Sequence, residues 1–302
     1  CRYFNYKSHE DQLLDVFKLS EAMTYKNSLA GINFGGGKAT INAKISKDQL
    51  YENFGKVLNH LDGTYITAGD IGIIDEDLIQ LKNYSSYVCS TQGKDSGQST
   101  AFGVYHAMKG YFEFKENSSS LFEKKILIKG YGKVGSRLAQ FCKKEGAIIE
   151  VVDFENNKEL IEKNGFKFLS QYQDTSFKEI DIFSPCAIGG DLNQEFLNFN
   201  NFIKIHCVLG GANNQLANPN IEKQLFNLKV DYCPDYCVNA GGVIILALRS
   251  SIKEDMEYME PTAEKKLIMI KEQLKRILEL SKEKNQLSTV SSSQLAEKGL
   301  LE

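Results

Sequence analysis

The sequence predicts an α/β protein of two domains, the second of which is built around a doubly wound parallel sheet. The chain has 302 residues, which is enough for two hydrophobic cores. The polar run Glu116-Asn-Ser-Ser-Ser120 is the clearest break in its pattern. After that break, strand-like and helical segments alternate, which is typical of parallel strands joined by helices. We therefore expect one domain over residues 1–115 and another over 116–284, with the C-terminal helices of 285–302 packing back on the first.

The first half of the chain is predicted to combine helices with short strands. Its apolar residues recur mainly at intervals of three and four, as on one face of a helix, and Ser46 provides an N-cap for one of these segments. The chain begins at Cys1 inside a strand-like segment, so we expect a further N-terminal segment to precede it. The predicted elements are helices over 8–25, 46–61 and 96–116, and strands over 2–6 and 65–68.

The second half is predicted to alternate strands with helices. Lys125–Lys129 and Ile148–Val152 are short apolar runs typical of strands, and the segment Val134–Lys144 between them has helical spacing. A long amphipathic helix over 262–284 and a last helix near 292–299 complete the chain. Further strands are predicted over 180–183, 205–209 and 229–233.

Composition and charge exclude several classes of function. The formal net charge is −3 and lysine and arginine form no block, so we expect neither a nucleic-acid partner nor a membrane partner. The longest apolar run, Val243–Leu248, is too short to cross a bilayer. The seven cysteines and four histidines are scattered without metal-ligand spacing, so we expect no metal site and favour a location in the reducing cytoplasm.

A glycine-rich motif follows the first strand of the second half. Gly130-Tyr131-Gly132-Lys133-Val134-Gly135 has the glycines that permit a tight turn, close approach to a pyrophosphate and close packing of helix on strand. Asp153 follows at the end of the second strand, where a carboxylate accepts hydrogen bonds from the ribose of NAD and repels the extra phosphate of NADP. The sequence therefore predicts a Rossmann domain that binds NAD through these residues. The alternative is a glycine-rich turn that binds no ligand.

Two lysines of the first half stand in an unusual setting. Lys26 and Lys38 lie in a small, apolar stretch that ends in three glycines, Gly35 to Gly37, directly before Lys38. A lysine that is partly desolvated beside a second cation has a lowered pKa and can act as a general base, while the other lysine can bind a carboxylate. The alternative is that both are surface lysines beside a flexible loop.

These motifs occur together, and in this order, in one known family. The chain resembles the Glu/Leu/Phe/Val dehydrogenases, which are NAD(P)-dependent amino-acid dehydrogenases, and within that family it is most similar to the leucine dehydrogenases. The resemblance implies an N-terminal domain for substrate binding and oligomerisation, followed by the dinucleotide-binding Rossmann domain. The matching segments are Arg2–Lys7, Met23–Lys38, Tyr65–Gly72, Thr100–Lys109, Gly130–Gly135, Asp181–Gly189, Gly210–Leu216, Pro234–Val243 and Arg276–Leu300.

The resemblance also implies roles for individual residues. Lys26 corresponds to the lysine that binds the substrate carboxylate, and Lys38 to the lysine that activates water for attack on the imino acid. Asp70 corresponds to the aspartate that moves a proton to and from the substrate nitrogen, and Asn239 to an asparagine that orients the substrate near the nicotinamide. Without this context, Asp70 and Asn239 would be taken for ordinary turn residues. Three further residues correspond to positions near the cofactor: Thr100, Ala187 and Asn213.

Two apolar residues indicate the substrate class. Leu246 occupies a position, seven residues after Asn239, where glutamate-specific relatives carry a polar residue, and Ala68 is small and apolar. Burying an unpaired glutamate carboxylate there would be costly. We therefore expect a homo-oligomer that converts leucine, valine or isoleucine reversibly to the 2-oxo acid and ammonia, with NAD as cofactor. The alternatives are a phenylalanine-, tryptophan- or glutamate-type dehydrogenase, or a catalytically silent homologue that binds NAD.

Overall fold

The computed structural model describes residues 1–89, 96–252 and 261–301. Its N-terminal unit contains a small parallel sheet of two strands, with a core of leucine, isoleucine and valine side chains packed beside it. The strands are β1 (Arg2–Phe4) and β2 (Thr40–Asn42), and the helices of this half are α1 (His9–Leu29), α2 (Lys47–His60), α3 (Asp75–Lys82) and α4 (Ser96–Glu116).

The first two helices begin at the residues that favour helix termini. The Ser8 hydroxyl accepts a hydrogen bond from the Asp11 N–H at 3.0 Å, and Ser46 forms a capping box with Gln49. Helix α1 continues past the predicted end at residue 25 and is followed by Gly31, whose φ of 60° lies in the left-handed region. The predicted helices are therefore confirmed, with α1 longer than expected.

The prediction of a strand over residues 65–68 is wrong. Thr67 makes a single parallel bridge to Val88. Gly63 bends the chain before this bridge with a φ of 81°, and the Ile73 N–H donates to the Asp70 carbonyl in a turn after it. The bridge consists of two hydrogen bonds at Thr67, whose N–H donates to the Tyr87 carbonyl at 3.0 Å and whose carbonyl accepts the Cys89 N–H at 2.7 Å.

The second half is built on six parallel strands. They are β3 (Lys125–Lys129), β4 (Ile148–Val152), β5 (Lys167–Leu169), β6 (Glu179–Pro185), β7 (Lys204–Val208) and β8 (Asp231–Tyr232). Their order across the sheet is β5-β4-β3-β6-β7-β8, with every neighbouring pair parallel. This is the order of a doubly wound fold, in which a crevice opens where the order reverses, at the carboxyl ends of β3 and β6. The predicted fold class is confirmed.

Both faces of this sheet are covered. Ile126 and Ile128 belong to one buried cluster while Leu127 between them belongs to another, as expected for a strand with helices on both sides. The connecting helices are α5 (Gly135–Lys144), α6 (Lys158–Lys163), α7 (Gln194–Asn200) and α8 (Asn220–Asn227), and the short helix α9 (Asp235–Val238) follows the last strand.

Two strands at the edges of the sheet differ from the prediction. β8 is shorter than predicted because Lys229 adopts a φ of 59° and Pro234 has no N–H to donate to a ladder. β5 was not predicted, since the run Lys-Phe-Leu is too short to show an alternating pattern.

The remaining helices pack the two halves together. They are α10 (Gly241–Ile252), α11 (Pro261–Lys284) and α12 (Ser288–Leu301). Helix α4 packs against α5, α10 and α11, so its contacts are largely with the second half. Helix α12 packs on α1, where the Ser28 hydroxyl donates to the Ala296 carbonyl at 2.6 Å. The division at residue 115 stays a prediction.

Within residues 1–89, 96–252 and 261–301, no helix is long and apolar enough to cross a membrane. In the same ranges, no group of three or more His, Cys, Asp and Glu side chains is arranged to hold a metal ion.

Candidate active site

The predicted site residues of the second half lie at the carboxyl ends of its strands. The glycine-rich turn follows β3, Asp153 follows β4, and Ala187 follows β6. Asn213 lies in the loop after β7, and Asn239 ends the short helix α9 that follows β8. Five parallel strands therefore bring these residues to the edge of the sheet at which doubly wound folds bind ligands.

The geometry of the glycine-rich turn fits a dinucleotide. A methyl group at Gly135 would lie 1.9 Å from the Gly130 carbonyl oxygen, and one at Gly130, where φ is 101°, would lie 2.8 Å from the Ala187 nitrogen. Both positions therefore require glycine. A methyl group at Gly132 would meet no protein atom within 4 Å, so the backbone there borders open space. This space, at the start of α5, leaves room for the pyrophosphate of NAD(P).

The other residues of the turn have different surroundings. Tyr131 is buried, and its ring packs edge-on against Phe166 with 5.9 Å between the centroids. Val134 is half-buried, and Lys133 is exposed. Of these three side chains, only that of Lys133 is free to extend toward a ligand without disturbing the core.

Asp153 is fixed beside this turn. One of its oxygens accepts a hydrogen bond from the Tyr131 N–H, and the other accepts from the Phe154 N–H at 2.6 Å and from the Asn157 amide at 3.0 Å. The carboxylate is thus held at the end of β4, where the acid of this fold meets ribose hydroxyls.

On the N-terminal side of the crevice, an ion-pair cluster surrounds Asp70. Lys38 Nζ lies 2.9 Å from Asp70 Oδ2, and Arg2 Nε lies 3.2 Å from the same oxygen. Arg2 also donates to both oxygens of Asp15 at 3.1 Å. The side chains of Arg2, Lys38 and Asp70 are 13%, 16% and 18% exposed, so little water screens these charges.

These contacts keep the Asp70 carboxyl ionised. Burial raises its pKa, but the Lys38 and Arg2 cations and the Ile71 N–H lower it, and the lowering prevails. Asp70 is therefore a carboxylate at neutral pH that accepts a hydrogen bond from Lys38. An amine and a carboxylate in contact can exchange a proton during a reaction.

Lys26 reaches the second half of the molecule from α1. Its Nζ lies 3.5 Å from Oδ1 of Asn213, and that same oxygen accepts a hydrogen bond from the Asn239 amide at 2.8 Å. Lys26, Asn213 and Asn239 come from three separate motifs of the sequence. The structure brings them together as one chain of contacts across the crevice.

The lowered pKa that the lysine pair predicts for a general base falls instead on Lys26, the lysine expected to bind the substrate carboxylate. Burial, together with the cation of Lys38, lowers the pKa of Lys26 to about 8, although Asp235 and Asp70 act in the opposite direction. At neutral pH Lys26 is thus mostly protonated and able to bind a carboxylate. It loses this ability as the pH rises above about 8.

An apolar pocket of about 280 Å³ adjoins this cluster. Ala68 and Leu246, the two residues that predicted an apolar substrate, line it together with Met23 and Val243. Its wall also includes Gly37, the residue before Lys38. Among the described lining residues there is no Lys, Arg, Asp or Glu. A larger cavity of about 620 Å³, between α4, α8 and α11, is lined by none of the predicted site residues.

Close backbone packing at Gly241 brings Thr100 near the loop that carries Asn239. Thr100 lies in the first turn of α4. A methyl group at Gly241, two residues after Asn239, would lie 2.1 Å from the Ser99 carbonyl oxygen and 3.0 Å from the Thr100 Cα. The missing side chain at Gly241 therefore lets the start of α10 touch the start of α4.

Three charged residues of the site were not predicted: Arg2, Asp15 and Asp235. Arg2 offered a signal, because an arginine inside an apolar, strand-like run must find a partner when it is buried. Asp15 and Asp235 offered none, since their partners depend on how β1 packs on α1 and on how the loop after β7 approaches α9.

The fold and the site together define a class of protein. A dinucleotide crevice facing a lysine–aspartate cluster and an apolar pocket is the arrangement of a dinucleotide-dependent dehydrogenase with a small organic substrate. Two family models match the chain: the Glu/Leu/Phe/Val dehydrogenase dimerisation domain over residues 1–86, and Glutamate/Leucine/Phenylalanine/Valine dehydrogenase over residues 150–298. The chain belongs to the Glu/Leu/Phe/Val dehydrogenase family, whose enzymes act on the CH–NH₂ group of amino acids and use NAD(P).

Individual relatives confirm the family and differ in their substrates. A phenylalanine dehydrogenase from Caldalkalibacillus thermarum is 36% identical over 258 residues, which are 81% of this chain and 69% of that protein. A leucine dehydrogenase from Geobacillus stearothermophilus is 34% identical over 98% of this chain and 81% of its own length. The crystal structure of L-tryptophan dehydrogenase from Nostoc punctiforme matches with a TM-score of 0.85 at 30% identity, covering 99% of this chain and 86% of that one. Since these relatives are about equally similar, identity alone does not select the amino acid.

Proposed function

We propose that this protein catalyses the NAD-dependent, reversible oxidative deamination of an apolar L-amino acid, with leucine, valine and isoleucine as the first candidates. The apolar pocket is the observation that carries this proposal. Ala68 and Leu246 line it beside the Lys26 and Lys38 region, and no charged side chain is among its described lining residues. A glutamate side-chain carboxylate would lose its hydration there without gaining a partner.

The charged side chains divide the chemical steps between them. Lys26 binds the substrate carboxylate, and Asp70, as a carboxylate, takes a proton from the substrate ammonium to give the neutral amine. When bound, NAD accepts the hydride from Cα. Lys38 acts as the general base that removes a proton from the water attacking the imino carbon. Asp70 then returns its proton to the nitrogen, and ammonia leaves as the carbon–nitrogen bond breaks. Lys38, after passing its first proton to solvent, takes the proton of the new hydroxyl, which becomes the carbonyl of the 2-oxo acid.

The residues beside Lys26 would orient the substrate in this scheme. Asn239 is buried and hydrogen-bonded to Asn213, which is itself in contact with Lys26. Thr100 lies next to the same loop. A substrate carboxylate on Lys26 would therefore be placed against Asn239, so that orientation is set by groups that are already held in position.

We propose NAD rather than NADP because of Asp153. Its carboxylate is fixed by the Tyr131 and Phe154 N–H groups at the end of β4. Lys158, the nearby cation that could meet a 2′-phosphate, is 3.1 Å from Glu155 and so is already paired. A fixed negative charge at the end of β4 favours the ribose hydroxyls over a phosphate, because the phosphate would be repelled.

We also propose that the protein is a homo-oligomer assembled through its N-terminal unit. The family model that matches residues 1–86 is that of a dimerisation domain. Helix α1 exposes Leu14 and Phe17 to 55% and 70%, and such side chains grouped on one helix favour burial against another surface. Light scattering during size-exclusion chromatography tests this, and a monomer at micromolar concentration would contradict it.

The substrate proposal is tested by measuring NADH formation with leucine, valine, isoleucine, phenylalanine, tryptophan and glutamate. We expect the highest kcat/KM with a branched-chain amino acid. If kcat/KM is highest with glutamate, the apolar pocket does not select the substrate as proposed. If it is highest with an aromatic amino acid, the reaction is the proposed one but the preferred substrate is different. NADH binding without turnover of any amino acid would identify a silent homologue.

A further inference from the structure

One carboxylate of the crevice has no part in the reaction steps above. Asp235 is the first residue of α9 and is half-buried. Its Oδ2 accepts the backbone N–H of Asn214 at 2.6 Å, and the Tyr232 hydroxyl lies 3.4 Å from Oδ1. Asp235 therefore belongs structurally to the second half, although its charge acts on Lys26 of the first half.

The hydrogen bond to Asn214 fixes a turn with an unusual backbone conformation. Asn214 has a φ of 53°, in the left-handed region that few non-glycine residues adopt. Its carbonyl accepts the Gly190 N–H at 2.8 Å, so the turn is held from one side by the loop after β6 and from the other by Asp235. Each of these two contacts restrains the turn.

This turn carries the oxygen that links the two halves. Asn213 directly precedes Asn214, and its Oδ1 lies 3.5 Å from Lys26 Nζ and 2.8 Å from the Asn239 amide nitrogen. Asp235 thus acts on Lys26 and Asn239 through a single backbone hydrogen bond. A shift of the turn by 1 Å would disturb both contacts, and misplacement of about that size can cost about a hundredfold in rate.

The charge of Asp235 acts on Lys26 as well. The charged groups that face Lys26 are Lys38 and Asp70 from the N-terminal unit and Asp235 from the second half. Asp235 raises the pKa of Lys26 against the lowering by burial and by Lys38. Burial raises the pKa of Asp235 itself, although the Lys26 cation acts in the opposite direction. Since only protonated Lys26 binds a carboxylate, Asp235 extends upward the pH range in which it does so.

We infer that Asp235 is a positioning residue for the substrate carboxylate, which holds the Asn213–Asn214 turn in place and whose negative charge favours the protonated form of Lys26 across the crevice. The inference rests on the proposed function, in which Lys26 binds that carboxylate. Asp235 itself touches neither substrate nor reacting atoms. It acts through Lys26 and Asn213.

Two variants separate the charge from the hydrogen bond. Asp235→Asn keeps an oxygen that can accept the Asn214 N–H but removes the charge, while Asp235→Ala removes both. The matched control is Glu52→Gln, which removes one negative charge from an exposed ion pair with Lys56 on α2. For each protein, kcat and the KM for the amino acid are measured between about pH 6.5 and about pH 9.5, which spans the titration of Lys26.

For Asp235→Asn we expect a KM close to the wild-type value at the low end of this range. The ratio to wild type should rise to about tenfold at the high end, as for a shift of about one pKa unit in Lys26, with kcat changed less than about twofold. For Asp235→Ala we expect a raised KM at every pH and a kcat about tenfold lower, because the turn is released. Glu52→Gln should follow the wild type throughout.

Two results would overturn the inference. A KM ratio for Asp235→Asn that does not change with pH removes the effect of its charge on Lys26, and identical kinetics for both Asp235 variants remove the turn-holding role. Calorimetric binding of the 2-oxo acid over the same pH range provides a readout that does not need turnover. If the wild type binds the 2-oxo acid but turns over no amino acid, the proposed function fails while the binding ratios still decide the role of Asp235; absence of binding overturns both.

Discussion

The two sides of the crevice are built on different physical principles. On the N-terminal side, Lys38, Arg2 and Asp70 hold one another in ion pairs of 2.9 and 3.2 Å, with less than a fifth of each side chain exposed. On the other side, the glycine-rich turn depends on absent side chains, since a methyl group would lie 1.9 Å from backbone at Gly135 and in open space at Gly132. One side therefore works by charge and the other by shape.

Because of this difference, we expect substitutions on the two sides of the crevice to have different effects. Removing a charge from the N-terminal side should slow the chemistry and leave cofactor binding intact, because the ion pairs lie outside the turn that fits the pyrophosphate. Adding a methyl group to the turn should weaken cofactor binding or folding and leave the lysine–aspartate cluster unchanged. The predictions below test this separation.

The largest effect is expected for Lys38→Ala. Loss of a general base costs about 10²- to 10⁴-fold in rate, so kcat should fall by about that factor. NADH affinity, measured by fluorescence titration, should stay within about twofold of the wild type because Lys38 contacts Asp70 rather than the glycine-rich turn. Lys44→Ala, at an exposed position two residues beyond β2, is the matched control. Normal turnover by Lys38→Ala would remove this lysine as the base.

On the other side, two glycine substitutions should have different consequences. Gly132→Ala places its methyl in open space, so we expect an unchanged thermal midpoint and NADH affinity lowered about tenfold by obstruction of the pyrophosphate. Gly135→Ala drives its methyl into the Gly130 carbonyl, and overpacking of this kind costs about 1–3 kcal/mol of unfolding free energy. Calorimetry and NADH titration of both variants check this. Wild-type NADH affinity in Gly132→Ala would show that no pyrophosphate approaches there.

The sequence was informative where function depends on local spacing, and silent where it depends on tertiary contacts. Gly130, Gly132 and Gly135 were predictable because their roles follow from one turn between a strand and a helix. The contact between Lys26 and Asn213 joins residues 187 positions apart, so no local pattern could reveal it. Asp235 was missed for the same reason. Its role follows from a backbone N–H in another loop.

A smaller effect is expected from a change of pH, and it tests the role of charge on the N-terminal side of the crevice. The pKa of Lys26 is lowered to about 8, so the ammonium is fully formed well below that pH and is lost as the pH rises through it. The KM for the amino acid should therefore be constant near pH 6.5 and rise about three- to tenfold by about pH 9. Lys26→Arg, whose side chain stays protonated over this range, should give a flatter profile even if its KM is higher. An equally steep rise in Lys26→Arg would assign the titration to another group.

The smallest effect is expected at Asp153, the place where the cofactor side also uses charge. Asp153→Asn removes the negative charge and keeps one oxygen, which can accept either the Tyr131 or the Phe154 N–H but not both. Repulsion between unit charges about 4 Å apart is worth about 1 kcal/mol in water, so the preference for NAD over NADP in kcat/KM should fall about fivefold. Added salt should reduce the wild-type preference and leave that of the variant nearly unchanged, because screening acts only on the charged form. If neither the substitution nor the salt changes the preference for NAD, the shape of the site alone selects the cofactor. Charge would then act only on the N-terminal side of the crevice.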